Sequence, residues 1–138
     1  MSLSHEQMDR IINDHFMFEA TDNVEGVLGS LTNDVQHHVV GSPWGPLSGK
    51  NAVRPFYEQL FKDLKGEGVE PVDRWYSDDF VVDEALWTGH IANGRFFGLE
   101  GRSGHVTFRL LHVFELRDGL ISKENVWSDI ASIAQQIA

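Results

Sequence analysis

Apolar positions along the first half of the chain recur at helical steps. Met8, Ile11, Ile12, His15, Phe16 and Glu19 share one stripe, which predicts a helix over about residues 5–20, with Asp14 towards the edge of that stripe. Asp22 followed by Glu25 is a capping-box-like start for a second, short helix that buries Val24, Val27, Leu28 and Leu31 and ends at Asn33-Asp34. Val35 to Val40 is rich in β-branched residues and suits a strand, closed by a turn through Gly41, Pro43, Gly45 and Pro46. Val53, Phe56, Tyr57, Leu60, Phe61 and Leu64 return to three- and four-residue steps, so a third helix runs to about Leu64 and stops before Gly66 and Gly68. Pro55 fits that helix if Asn51 or a neighbour caps it and the proline falls in the first turn; otherwise it kinks the helix.

Beyond Gly68 the period becomes two. Val69–Ser77, Phe80–Ala92, Val106–Leu116 and Leu120–Trp127 read as strands, with Asp118-Gly119 a strong tight-hairpin signal. A last helix begins at Ser128 or Asp129 and buries Ile130, Ile133, Ala134 and Ile137. Three helices, a strand, a four-stranded meander and a closing helix predict one α+β domain spanning residues 1–138. Its strongly curved, mainly antiparallel sheet wraps against the three N-terminal helices, giving a cone with an open end.

A length of 138 residues suits one core. No apolar run reaches the roughly 20 residues that span a bilayer, and Met1-Ser2-Leu3-Ser4-His5-Glu6 lacks a basic stretch followed by an apolar one, so a cytoplasmic protein is expected. The absence of cysteine excludes disulfides, thiolate nucleophiles and sulfur-ligated zinc. A net charge of −10, from 21 acidic and 11 basic residues, repels phosphate backbones and anionic lipid; neither nucleic acid nor membrane is an expected partner. Nine Phe, four Trp and two Tyr leave aromatic surface to line a pocket for an apolar or aromatic molecule.

The candidate chemistry sits on apolar faces. Val106, Phe108, Leu110, His112, Phe114 and Leu116 share one face of a strand, so His112 is expected to point inward, where a histidine titrating near neutrality is a natural acid or base. His37 and His38 are adjacent in a strand and face opposite ways, so only one enters the cone. No dinucleotide or phosphate loop is present, and neither histidines at helical spacing nor a His-x-Glu pattern supports a metal; no cofactor and no metal are expected.

Several segments resemble the family that holds ketosteroid isomerase, scytalone dehydratase and the SnoaL-like polyketide cyclases, whose members share a cone-shaped, NTF2-like α+β fold. Asp22 and Gly26 match its capped second helix, Val40-Gly41-Ser42 a turn, and Ser48-Gly49 with Phe56-Tyr57 the third helix. The resemblance to ketosteroid isomerase implies that His38 occupies the place of the proton-shuttling carboxylate, Tyr57 belongs to the hydrogen-bond network, and His112 stands where a protonated carboxylic acid forms part of an oxyanion hole. The tyrosine which that enzyme carries on its first helix falls at Asp14. An acid there with two histidines looks more like scytalone dehydratase, with His38 or His90 as partner to His112. Val113 to Ile121, then Val126-Trp127-Ser128-Asp129, is similar to the closing hairpin of SnoaL-like proteins, in which an aspartate acts as base; Asp129 matches it and is equally a fit helix N-cap.

The resulting expectation is a small cofactor-free enzyme that moves protons on an apolar, carbonyl-bearing or aromatic polyketide-type substrate, as a cyclase, isomerase or dehydratase. Its catalytic candidates are His38, His112, Asp129 and Asp14; Trp44, Tyr57, His90, Phe108 and Trp127 would line the substrate site. The alternative is a non-catalytic ligand-binding or protein-association domain. Leu111 and Val113, flanked by Arg109 and Glu115 on the face away from the cone, predict a homodimer through the outer sheet face, with Arg109 and Glu115 paired across the two-fold axis.

Overall fold

A computed structural model describes residues 3–138; Met1 and Ser2, where the stretch read as lacking a leader begins, lie outside the described residues. Helix α1 (His5–Ala20) starts at Ser4, whose side chain accepts from the Gln7 amide while the Gln7 side chain accepts from the Ser4 amide. That reciprocal cap satisfies two donors that a helix start otherwise leaves open. Helix α2 (Val24–Gly29) is capped by Asn23, one residue later than expected, because Asp22 takes a left-handed conformation at φ 54° to turn the chain. Strand β1 (Leu31–Val39) follows at once, so Leu31 to Asp34 is strand rather than helix end. Leu31 pairs with Ile121, and the Ile121 amide donates to the Ser30 carbonyl.

Strand β2 (Leu47–Ser48) pairs antiparallel with β1 and leads into helix α3 (Lys50–Asp63). Pro55 falls in the second turn of α3, and the helix nonetheless runs on unbroken. The carbonyl that loses its donor belongs to Asn51, which is exposed and open to water. Strand β3 (Leu64–Tyr76) begins with no intervening loop and takes Gly66 and Gly68 into the sheet. Strands β4 (Phe80–Ile91), β5 (Gly104–Arg117) and β6 (Leu120–Ser128) complete the meander, and helix α4 (Ile130–Gln136) closes the chain. Asp118 and Gly119 both have positive φ, 55° and 77°, the geometry that lets a two-residue turn follow the twist of β5 and β6.

The sheet order is β2-β1-β6-β5-β4-β3, with β1 parallel to β6 and every other neighbouring pair antiparallel. Met8, Ile12 and His15 from α1 and Val53, Phe56, Tyr57 and Phe61 from α3 pack on its inner face, against residues such as Phe108, Phe114 and Ile121. A 3-10 turn at Arg95–Phe97, inside the stretch expected to be a Gly-rich loop, adds Phe96 and Phe97 to the core. Arg74 ties α1 to the far strands, donating to Asp83 at 2.7 Å, Asp9 at 2.8 Å and Asn13 at 3.1 Å.

Register decides which side chains reach the interior. Between β5 and β6, Leu116 pairs with Ile121 but Glu115 with Lys123, so Ser122 is an extra residue in β6. A bulge of this kind moves every later side chain to the opposite face. Glu124 and Val126 therefore turn inward, while Trp127 turns out and is 42% exposed.

Close packing of β3 on β4 depends on Gly89. It pairs with Gly66, and a Cβ there would stand 2.3 Å from the Lys65 carbonyl oxygen and 2.6 Å from the Trp87 ring. Gly89→Ala is expected to lower unfolding stability by about 1–3 kcal/mol, because backbone rather than a flexible side chain must give way. Urea unfolding followed by tryptophan fluorescence checks this. A change within about 0.5 kcal/mol, the range of an ordinary surface substitution, would show that the two strands are not held this closely.

Candidate functional site

Five elements send polar side chains to one point in the core. Glu124 on β6 is 1% exposed and lies at its centre. The Tyr57 hydroxyl, from α3, donates to Glu124 Oε1 at 3.0 Å, and His37 Nε2, from β1, is 3.1 Å from the Tyr57 oxygen and 3.6 Å from Oε1. His15 Nε2, from α1, is 3.1 Å from the same Oε1 and 3.5 Å from Glu19 Oε1 one helical turn on. His112 Nε2, from β5, faces Glu124 Oε2 at 3.5 Å. His37 pairs directly with Glu124 across β1 and β6, and Glu124 with Phe114 across β6 and β5.

The hydrogen bonds assign the protons. The Tyr57 hydroxyl proton is committed to Glu124, so His37 Nε2 donates to the Tyr57 oxygen, leaving His37 Nδ1 as a buried lone pair without a partner. His112 Nδ1 is likewise buried and unpartnered. Ser30 Oγ donates to the Val27 carbonyl and accepts from His15 Nδ1 at 2.8 Å, so His15 turns Nε2 towards the two carboxylates.

Electrostatics separate the three histidines. Burial works to lower His15, but Glu124 and Glu19 overcome it and raise its pKa to about 9. Burial lowers His112 to about 4 and also lowers His37, so both are neutral imidazoles at pH 7. Burial alone would raise Glu124, yet the charged His15, ahead of His37 and His112, holds it well below the usual carboxylate range, as an ion. Burial raises Glu19 to about 8 and holds Tyr57 well above its ordinary value, so the phenol stays a neutral donor. A fixed carboxylate that orients imidazoles whose other nitrogens are free is the arrangement that sets up a general base.

The expected site residues divide. His112, 6% exposed, and Tyr57 stand in the cluster. Phe108 is buried against Trp87 and Phe97, and Trp44 is half-buried against Phe56 and Phe96, neither of them in polar contact with the cluster. His38 is corrected: His37, 2% exposed, enters the core and His38 turns to the other face, so the comparison with ketosteroid isomerase shifts by one residue at its central position. Asp14 is exposed on α1, and the neighbouring His15 points inward instead. Asp129 is exposed and caps α4, accepting from the Ser132 amide at 3.2 Å. His90 is exposed on the outer face opposite His105, and Trp127 is turned outward by the bulge.

Sequence reasoning missed Glu124, His15, His37 and Glu19 as site residues. Val35-x-His37-x-Val39 carried an inward alternation that identified His37, and the apolar stripe of the first helix already contained His15 and Glu19. Glu124 had no such signal, because without the bulge at Ser122 its period places it outside.

Phe114 stacks on His112 with ring centroids 5.1 Å apart, and Phe16 packs edge-on against both rings, 5.1 Å from His112 and 5.7 Å from Phe114. Two open clefts lie towards the surface, one of about 380 Å³ with His37, His38, Lys123 and Asn125 in its lining and one of about 340 Å³ beside Asp34, Lys50 and Arg117.

Comparison with known proteins bears on the fold. The chain superposes on a candidate polyketide cyclase from Silicibacter sp. TM1040 with a TM-score of 0.80 and 20% identity, covering 99% of this chain and 98% of that one. It matches an LEH-like epoxide hydrolase from M. tuberculosis with a TM-score of 0.73 and 16% identity, over 94% and 88% of the two chains. An NTF2-like protein from Burkholderia xenovorans LB400 aligns with a TM-score of 0.76 and 16% identity, over 96% and 97%. At these identities the likeness shows the fold alone, and no curated protein sequence matches the chain. The SnoaL-like domain family matches residues 12–124, which span every cluster residue from His15 to Glu124, and the chain belongs to that family.

Proposed function

We propose that this protein is a cofactor-free general acid–base enzyme that removes a proton next to the carbonyl of an apolar or aromatic polyketide-type molecule, in a cyclisation, isomerisation or dehydration. The observation that carries this is the convergence of His112, His37 and Tyr57 on the buried Glu124, with two neutral imidazoles whose Nδ1 atoms are unpartnered. His112 Nδ1 is the base, held in its tautomer by the carboxylate behind Nε2, and the Tyr57 hydroxyl, whose proton is given to Glu124, holds that carboxylate in place. His37 takes the part first assigned to His38, and Glu124 the part assigned to Asp129 or Asp14. Neighbours with cyclase and epoxide hydrolase names support an enzymatic role.

Proton abstraction can be read without knowing the natural product. In D2O, wild-type protein is expected to exchange the α-protons of 2-tetralone, an apolar bicyclic ketone, faster than buffer, as seen by proton NMR. His112→Phe, which keeps ring volume and apolar contacts, is expected to lose that exchange at least a hundredfold, the range of one positioned acid–base group, while circular dichroism shows a native fold. Full exchange activity in His112→Phe would overturn the assignment. A histidine of purely structural value would spare exchange, with only the loss of about 1–3 kcal/mol for the stranded Glu124 oxygen.

A protein-association role for the outer sheet face has its own support. Leu111 pairs with Trp127, Val113 with Val82, and Val82 with Trp75; Trp75 and Trp127 remain 48% and 42% exposed. This apolar strip is proposed as a homodimer interface. Arg109 and Glu115 rim it but already pair within the chain, with Glu84 and Lys123, so the expected pairing across a two-fold axis gives way to these internal bridges. In sedimentation equilibrium at tens of micromolar, wild type is expected at about twice the chain mass, and the Leu111→Lys, Val113→Lys double variant at the chain mass. A monomeric wild type would sink the interface.

A further inference from the structure

His112 Nδ1 is buried and has no partner among the described residues, so a substrate reaches it only after a neighbouring group gives way. The neighbours differ in how far they can yield. Phe114 stacks on the imidazole, Glu124 faces Nε2, and Asp83 and Val126 are the cross-strand partners of His112 on β4 and β6. All four are buried, on strands paired along both edges. Leu110, two residues back on the same face, is half-buried, but β5 is held between β4 and β6 at that point. Phe16 differs from all of these: it comes from a helix, it is half-buried, and its ring stands edge-on 5.1 Å from His112. Of the two rings packed on His112, Phe16 alone borders solvent.

The helix that carries Phe16 is tied down. Arg74 on β3 donates to Asp9 at 2.8 Å and to Asn13 at 3.1 Å, Tyr76 donates to Asp9, and His15 Nδ1 donates to Ser30 Oγ at 2.8 Å. These contacts hold α1 up to the residue before Phe16, so movement is left to its side chain. An aromatic side chain in a helix has two open χ1 wells, at about 180° and about −60°, because the third drives it into the preceding turn. Phe16 therefore has one alternative position, and reaching it breaks no backbone hydrogen bond.

We infer that Phe16 is the gate residue of the site: its ring closes His112 from solvent, and its rotation admits a carbonyl compound to Nδ1. This role rests on the proposed function for what enters, though not for the closure itself. A ring closed over the base keeps water away from the contact between Glu124 and His112, where the lower dielectric strengthens it.

The test reads access directly. Diethyl pyrocarbonate, a small carbonyl electrophile, acylates any neutral imidazole nitrogen that it can reach, and peptide mass spectrometry gives the rate at each histidine. In the full-length wild type, His112 and His37 are expected to react far more slowly than the exposed His90. Phe16→Ala is expected to raise the His112 rate at least about tenfold, with His37 and His90 unchanged and circular dichroism native. His37 controls for general loosening, since Phe56 and Tyr57 pack on it. A wild-type His112 as reactive as His90, or a His112 rate unchanged by Phe16→Ala, overturns the gate. An equal rise at His112 and His37 overturns it too, because that pattern marks a loosened core. Should Phe16→Ala fail to fold, Phe16→Leu, which keeps apolar contact but removes the ring edge, is read by the same criteria. Acylation needs no turnover, so a wild type without ketone exchange sinks the proposed function and leaves the gate standing. Exchange in the wild type with an unaltered His112 rate in Phe16→Ala sinks the gate alone.

Discussion

An ionised carboxylate at the centre of the core is the constraint on which the rest of the structure depends. Taking Glu124 out of water costs several kcal/mol unless other groups replace its hydration. They are supplied from α1, α3, β1 and β5, as His15, Tyr57, His37 and His112. Each donor therefore fixes one element against β6. A buried polar network admits few alternative packings, since a helix displaced by one turn would leave the carboxylate without a partner. Phe16, Phe56 and Phe114 supply the apolar mass around it, but they would tolerate small slips that the carboxylate does not.

Much of the fold was legible in the chain because period and turn chemistry agree there. The stripe of α1 and the Asp118-Gly119 turn gave those elements within a residue or two, and the meander followed from four alternating runs. What was not legible depends on pairing between distant residues. Leu31 to Asp34 has the composition of a helix end, and the backbone partner that makes it a strand lies about ninety residues away at Ile121. The 3-10 turn at Arg95–Phe97 is hidden among glycines whose local signal is only a loop.

The site was half legible for the same reason. His112 follows from one strand's alternation, and Tyr57 from a helical stripe, because neighbours on the same element settle their facing. Glu124 is invisible to both arguments: its facing is set by the register between β5 and β6, and one extra residue at Ser122 inverts it. That single bulge also explains Trp127, which an unbroken period would carry inward in place of Glu124. His37 shows a different failure, where a loose family match on the turn at Gly41 outweighed a plain alternation through Val35 and Val39. Asp14 and His15 repeat it on a helix, where an offset of one residue rotates a side chain by about 100° and exchanges core for solvent.

A satisfied core histidine is the ordinary explanation for one imidazole on an apolar face, and it would hold for any of the three taken singly. It does not extend to the set. Three histidines, a tyrosine and a glutamate break the binary pattern of five different elements, and all five breaks meet at one carboxylate. Independent structural accidents would be scattered through the core and each would be satisfied locally, whereas here two of the rings that face the carboxylate also keep a buried Nδ1 without a partner. Sequences depart from their own packing rules where chemistry requires it. The coincidence of those departures in space marks the cluster as the candidate site more firmly than any one residue in it.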